Sequence, residues 1–135
     1  MLDNEALQAL SAPDHPKHRL VVAYLEAANG RNSRHAGTAT VLVPTVVRVE
    51  AAIDRRAPST ASLARFRVAD VTLDLHRADR AAALRRAGGS AVDACVAEVA
   101  ASVMHGEITV LTADLSDLPS LLGAAGASRV QVHRI

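Results

Sequence analysis

The chain has 135 residues, half of them hydrophobic, and a formal net charge of +1. Its length and apolar content fit one domain with a real core, and with charges of both signs interspersed they exclude intrinsic disorder. A single cysteine, Cys95, excludes an internal disulfide framework and a cysteine-rich zinc site, and the small net charge gives no strong pull towards nucleic acid.

The chain opens with "MLD", a short helix over "NEALQAL", a loop holding Pro13 and Pro16, and a helix over "HRLVVAYLEAANG". "TATVLVP" (38–44) is β-rich and stops at Pro44, which would interrupt a ladder. "TVVRVEAAIDRR" then has helical spacing, "VADVTLDL" (68–75) reads as a second strand, and "HRADRAAALRRAGG" reads as a helix ended by Gly88 and Gly89. In "SAVDACVAEVA" the residues Val92, Val96 and Val99, followed by Val103, recur at helical spacing. "EITVLT" (107–112) is a strand, "LSDLPSLLG" a short helix and "RVQVHRI" the last strand. Strand and helix in alternation require crossover connections. The expected fold is a single α/β domain over 1–135, a three-layer α/β/α sandwich with a mostly parallel central sheet. With no basic-then-apolar leader and no run of membrane-spanning length, a soluble cytoplasmic protein without membrane contact is expected.

In open parallel sheets, ligands collect beyond the carboxyl ends of the strands. The polar residues expected there are acids: Asp3, Glu50, Asp93, Asp114 and Asp117. Most have an ordinary structural reading beside a functional one. Ser90 and Asp93 have the S-x-x-D spacing of a capping box, and Asp114 can cap a helix beginning at Leu115, with Asp117 favoured by its dipole. Asp3 can be a solvated chain end. Glu50 follows Val46 and Val47 by four and three residues, so it is expected on the apolar face, buried and in need of a partner. Carboxylates converging on one end of a sheet would repel one another and raise their own pKa values, which a divalent cation resolves. Hard oxygen donors in that number suit Mg²⁺ or Mn²⁺.

In order and spacing these four stretches, Asp3 after the first strand, "VPTVVRVE", "SAVDACVAEVA" and "LTADLSDL", resemble the PIN domain, and more narrowly the VapC-like toxins of bacterial toxin–antitoxin pairs. The resemblance covers essentially the whole chain. It implies an endoribonuclease dependent on Mg²⁺ or Mn²⁺, with Asp3, Glu50, Asp93 and Asp114 as catalytic metal ligands and Asp117 as an auxiliary ligand. Thr112 and Ser90 match the family's supporting hydroxyl residues, whereas Glu5 stands where the family often has serine. A cognate antitoxin and a homodimer are the implied protein partners.

RNA contact is expected to fall to arginines, since only Lys17 among the 15 basic residues is a lysine. Arg31, Arg34 and His35 in the loop "GRNSRHAG", with Arg55 and Arg56, are the candidates, and Arg85–Arg86 is a further pair; solvated helix ends are the alternative. The aromatic residues are Tyr24 and Phe66, too few for base stacking to be the main grip. The six histidines lack H-E-x-x-H spacing, Gly88–Gly89 lack a P-loop lysine, and Lys17 lies too early for the late lysine of aspartate-based phosphotransfer domains. The competing expectation is a PIN-like binding or assembly module with a weak or dead site.

Overall fold

The computed structural model describes residues 1–33 (31–33 by backbone alone), 40–57 and 60–135. Among them the chain is mixed α/β, with seven helices and short parallel strands. Helix α1 (Asn4–Ser11) begins where the Asp3 carboxylate accepts from the Ala6 N–H at 2.9 Å, satisfying one of the free amides of the first turn. It buries Ala6, Leu7, Ala9 and Leu10, the face of an amphipathic helix. Helix α2 (His18–Ser33) packs on α1, and the His18 Nδ1–H donates to the Ala9 carbonyl at 2.8 Å.

Strand β1 (Leu42–Pro44) pairs in parallel with β2 (Ala69–Val71), and β3 (Ile108–Thr112) pairs in parallel with β4 (Val130–Arg134). The N-terminal residues lie between the two pairs. The Leu2 N–H donates to the Leu42 carbonyl at 3.0 Å, while the Leu111 N–H donates to Met1 and the Asp3 N–H to Leu111, at 2.9 and 3.1 Å. Leu2 is completely buried there, so Asp3 emerges beside the carboxyl end of β3. Four of the five β3 residues are buried, as expected for a parallel strand covered on both faces. Leu7, Leu10, Val21, Val43, Val47, Val96, Val110 and Leu121 join Leu2 at the centre of the core.

The helices after β1 depart from the sequence expectation. Helix α3 (Thr45–Glu50) stops six residues before Arg56. Its end is a Schellman motif: the Ile53 N–H donates to the Arg48 carbonyl, the Ala52 N–H donates to Val49, and Ala52 takes φ 54°. Helix α4 (Ala61–Arg65), absent from the sequence reading, ends the same way, with Arg67 at φ 50° and the Val68 N–H bonded to Leu63. Both left-handed positions lack the glycine that normally signals them. The second strand is also shorter than 68–75, because Asp74 caps α5 (Leu75–Arg85), accepting from the Arg77 N–H at 2.9 Å. Helices α6 (Ala91–Ser102) and α7 (Leu118–Ala124) complete the chain. Residues 38 and 39 of the expected strand 38–44 lie outside the described residues, and Thr40 and Val41 are not in the strand. Among the described residues no helix is long and apolar enough to cross a membrane.

Candidate functional site

The carboxyl end of β3 brings two sequence-distant acids to one threonine. The buried Thr112 hydroxyl donates to the Asp114 carbonyl at 2.9 Å and accepts from the Asp114 N–H at 3.1 Å, and it lies near enough to the Asp3 carboxylate to lower its pKa. Burial pushes the Asp3 pKa up; hydrogen bonds from Thr112, Ala6 and Ala113 pull it down, and the Glu5 charge adds to the upward push. Glu5 itself is paired with Lys17.

Asp114 is in the opposite state. Its carboxylate is exposed and accepts from the Ser116 N–H at 2.8 Å. Its pKa is lowered, first by that bond, then by the Ser116 hydroxyl, with a further contribution from the Arg134 charge. The expectation that Asp114 caps a helix starting at Leu115 is corrected: it closes a turn onto Ser116, and α7 begins at Leu118 with Asp117 before it. Asp117 occupies the N-cap position without a side-chain capping bond.

The start of α6 supplies the other acids. Ser90 and Asp93 form the capping box: the Asp93 N–H donates to Ser90 Oγ at 3.0 Å, and Asp93 Oδ2 accepts from the Ser90 N–H and hydroxyl at 3.2 and 2.6 Å. Asp93 is half-buried beside the apolar stripe, and its Oδ1 remains for another partner. Gly89 keeps this helix start close to Asp117. It holds φ 71°, and a Cβ on it would stand 3.1 Å from Asp117 Cβ and 2.8 Å from Leu121 Cδ1. Replacing Ser90 with alanine, which removes the box but leaves the Asp93 carboxylate, is expected to cost about 1 kcal/mol. Urea unfolding checks this; an unmoved midpoint would show that the box does not hold the helix start.

The remaining candidates divide. Glu50 is exposed, correcting the expectation of a buried acid: α3 ends at this residue, so no further turn folds it against the core, and its neighbour Val49 is 81 % exposed. Arg55 is committed within the fold, donating to Asp70 Oδ2 at 2.9 Å and to the Val68 carbonyl at 2.6 Å. Arg48 donates to the same Asp70 oxygen at 2.7 Å. Arg56 is exposed. Arg31 belongs to α2 rather than to a loop, its side chain outside the described set, while Arg34 and His35 lie outside the described residues. An open groove of about 430 Å³ lies on α3, lined by Thr45, Arg48, Val49, Ala52, Ile53 and Asp54. None of the strand-end acids lines it.

The acids match Mg²⁺ or Mn²⁺ in kind, being all-oxygen donors at strand and helix ends, and a cation beside Asp3 would favour the ionised form that burial disfavours. Among the described residues, however, no three His, Cys, Asp or Glu side chains are grouped closely enough to hold a metal ion. Comparison with protein-family models, curated proteins and solved structures finds no match.

Proposed function

We propose that this chain is a PIN-like endoribonuclease of the VapC type, hydrolysing RNA phosphodiester bonds with Mg²⁺ or Mn²⁺ at the carboxyl end of β3. The observation that carries the reading is the place of Asp3: the Leu2–Leu111 bridge and the Asp3 N–H bond to the Leu111 carbonyl set it at the carboxyl end of β3, where Thr112 and Asp114 follow. The N-terminal segment hydrogen-bonded between β1 and β3 supports reading the two strand pairs as one parallel sheet within an α/β/α sandwich. On this reading the cation's ligands are Asp3, Asp93 and Asp114, with Asp117 auxiliary and Glu50 a further carboxylate, side chains that would have to draw together from their present positions to hold it. When bound, it supplies charge neutralisation at the phosphate and activation of the attacking water.

The protein's own part is positioning. Thr112 fixes the backbone of Asp114, the Ala6 N–H holds one oxygen of Asp3, and the Ser90–Asp93 box fixes one oxygen of Asp93 while leaving the other. Ser116 lowers the Asp114 pKa through its N–H and hydroxyl. On the same reading a small antitoxin restrains the enzyme and the chain pairs with itself, in the cytoplasm.

The scattered acids favour one rival, a PIN-like binding module with a weak or dead site. Incubation of single-stranded RNA with the pure protein separates the two. Cutting with Mg²⁺ or Mn²⁺, and none with EDTA, is expected. Equal cutting in EDTA would overturn the metal mechanism, and no cutting under either condition would leave the binding module.

A further inference from the structure

The β3–β4 register places a cation at the strand end that carries the acids. Thr112 is the register partner of Arg134, and the Ile135 N–H donates to the Thr112 carbonyl at 2.8 Å, so the ladder is intact to its last residue. Directly paired residues of a sheet present their side chains to the same face. Arg134 therefore shares the face of Thr112, whose hydroxyl holds the Asp114 backbone beside the Asp3 that follows the Leu2–Leu111 bridge.

Six of the twelve arginines with described side chains are occupied. Arg48 and Arg55 hold Asp70, Arg65 holds Glu26, Arg77 and Arg80 hold Glu98, and Arg129 donates to the Met104 and Val103 carbonyls. Arg134 is exposed, and among the described residues its guanidinium makes no ion pair or hydrogen bond. An arginine next to carboxylates, yet not paired with them, keeps its planar fork for an incoming anion.

We propose that Arg134 is a phosphate-binding residue of this site, gripping the RNA backbone as it crosses the carboxyl ends of β3 and β4. The proposal rests on the ribonuclease reading and adds a substrate contact to it.

The test uses a short single-stranded RNA of mixed sequence and the full chain, with Asp3→Asn in every binding sample to keep the RNA intact. Arg134→Gln is expected to weaken binding several-fold at low salt. It should also lower the slope of log affinity against log salt by about 0.7, the contribution of one phosphate contact on a single strand. Arg134→Lys should keep the slope, because a point charge remains, while losing part of the affinity. An unchanged slope in Arg134→Gln, or an equal loss of slope in Arg134→Lys, overturns the phosphate contact and leaves the ribonuclease reading standing. If the unsubstituted chain neither cuts RNA with Mn²⁺ nor binds it, both fall together.

Discussion

Asp3→Asn is expected to reduce metal-dependent RNA cleavage by roughly a hundredfold or more, since it removes a ligand charge where even supporting residues of metal sites matter by tens of fold. The substitution spares the local fold. Asparagine is as good an N-cap as aspartate, and its carbonyl oxygen can accept from the Ala6 N–H as Asp3 does now. The pH dependence separates a lost ligand from a damaged helix. Burial raises the Asp3 pKa in the folded chain, so this group's contribution to stability is full below its unfolded pKa and declines as pH rises through the folded value. The variant lacks that decline. Its stability relative to the parent should therefore grow as pH rises from about 4, then level off once the parent's carboxyl is ionised. In thermal melts at neutral pH, Mn²⁺ should stabilise the parent and leave the variant nearly unmoved. A variant that still cuts RNA like the parent would remove Asp3 from the site and take the proposed chemistry with it.

The elements legible in the sequence are those whose local chemistry is conventional. Ser90 caps α6 at the spacing read from the sequence, and Gly88 at φ 126° follows α5 as expected, whereas Asp3 and Asp74 cap α1 and α5 although the sequence reads one as a chain end or metal ligand and the other as part of a strand. Where a left-handed residue is not glycine, reading along the chain overruns. Ala52 has the best helix propensity of any residue, yet it sits at the turn that ends α3; Arg67 ends α4 similarly. Tertiary fit overrides propensity at both places. The site divides along the same line. The Ser90–Asp93 spacing marks its capping box in advance, whereas periodicity places Glu50 inside only if α3 continues. Asp3 comes beside Thr112 and Asp114 through the parallel bridge of Leu2 to Leu111, which no local window contains.

Glu98 passes unnoticed for a related reason: it sits in a run of alanine and valine, and its partners lie on another helix. Its side chain is 2 % exposed, with Oε1 accepting from Arg80 Nε and Nη2 at 2.9 and 2.5 Å and Oε2 from Arg77 Nη1 at 3.2 Å. Arg77 also donates to Ser102 Oγ at 2.8 Å, tying the end of α6 into the same cluster. Helix α5 has little else to hold it, since Ala81 is its one fully buried side chain. Replacing Glu98 with alanine leaves Arg77, which is mostly buried, with only the exposed Asp74 carboxylate at 3.8 Å as a counter-charge, whereas Arg80 is 56 % exposed and can turn to water. That places the expected loss near the lower end of what a broken buried pair costs, about 3 kcal/mol, or roughly 10 °C in melting temperature. Arg80→Ala should cost far less, about 1 kcal/mol or below, because Arg77 still serves Glu98 and the solvent-facing partner contributes little. Urea midpoints of the two single variants and the double variant check the asymmetry. In the double variant the loss should stay close to that of Glu98→Ala alone, because Arg80 has no partner left to lose. If Glu98→Ala unfolds at the parent's midpoint, the cluster does not hold α5 to α6, and the small apolar contacts of Ala81, Ala94 and Cys95 must do so instead.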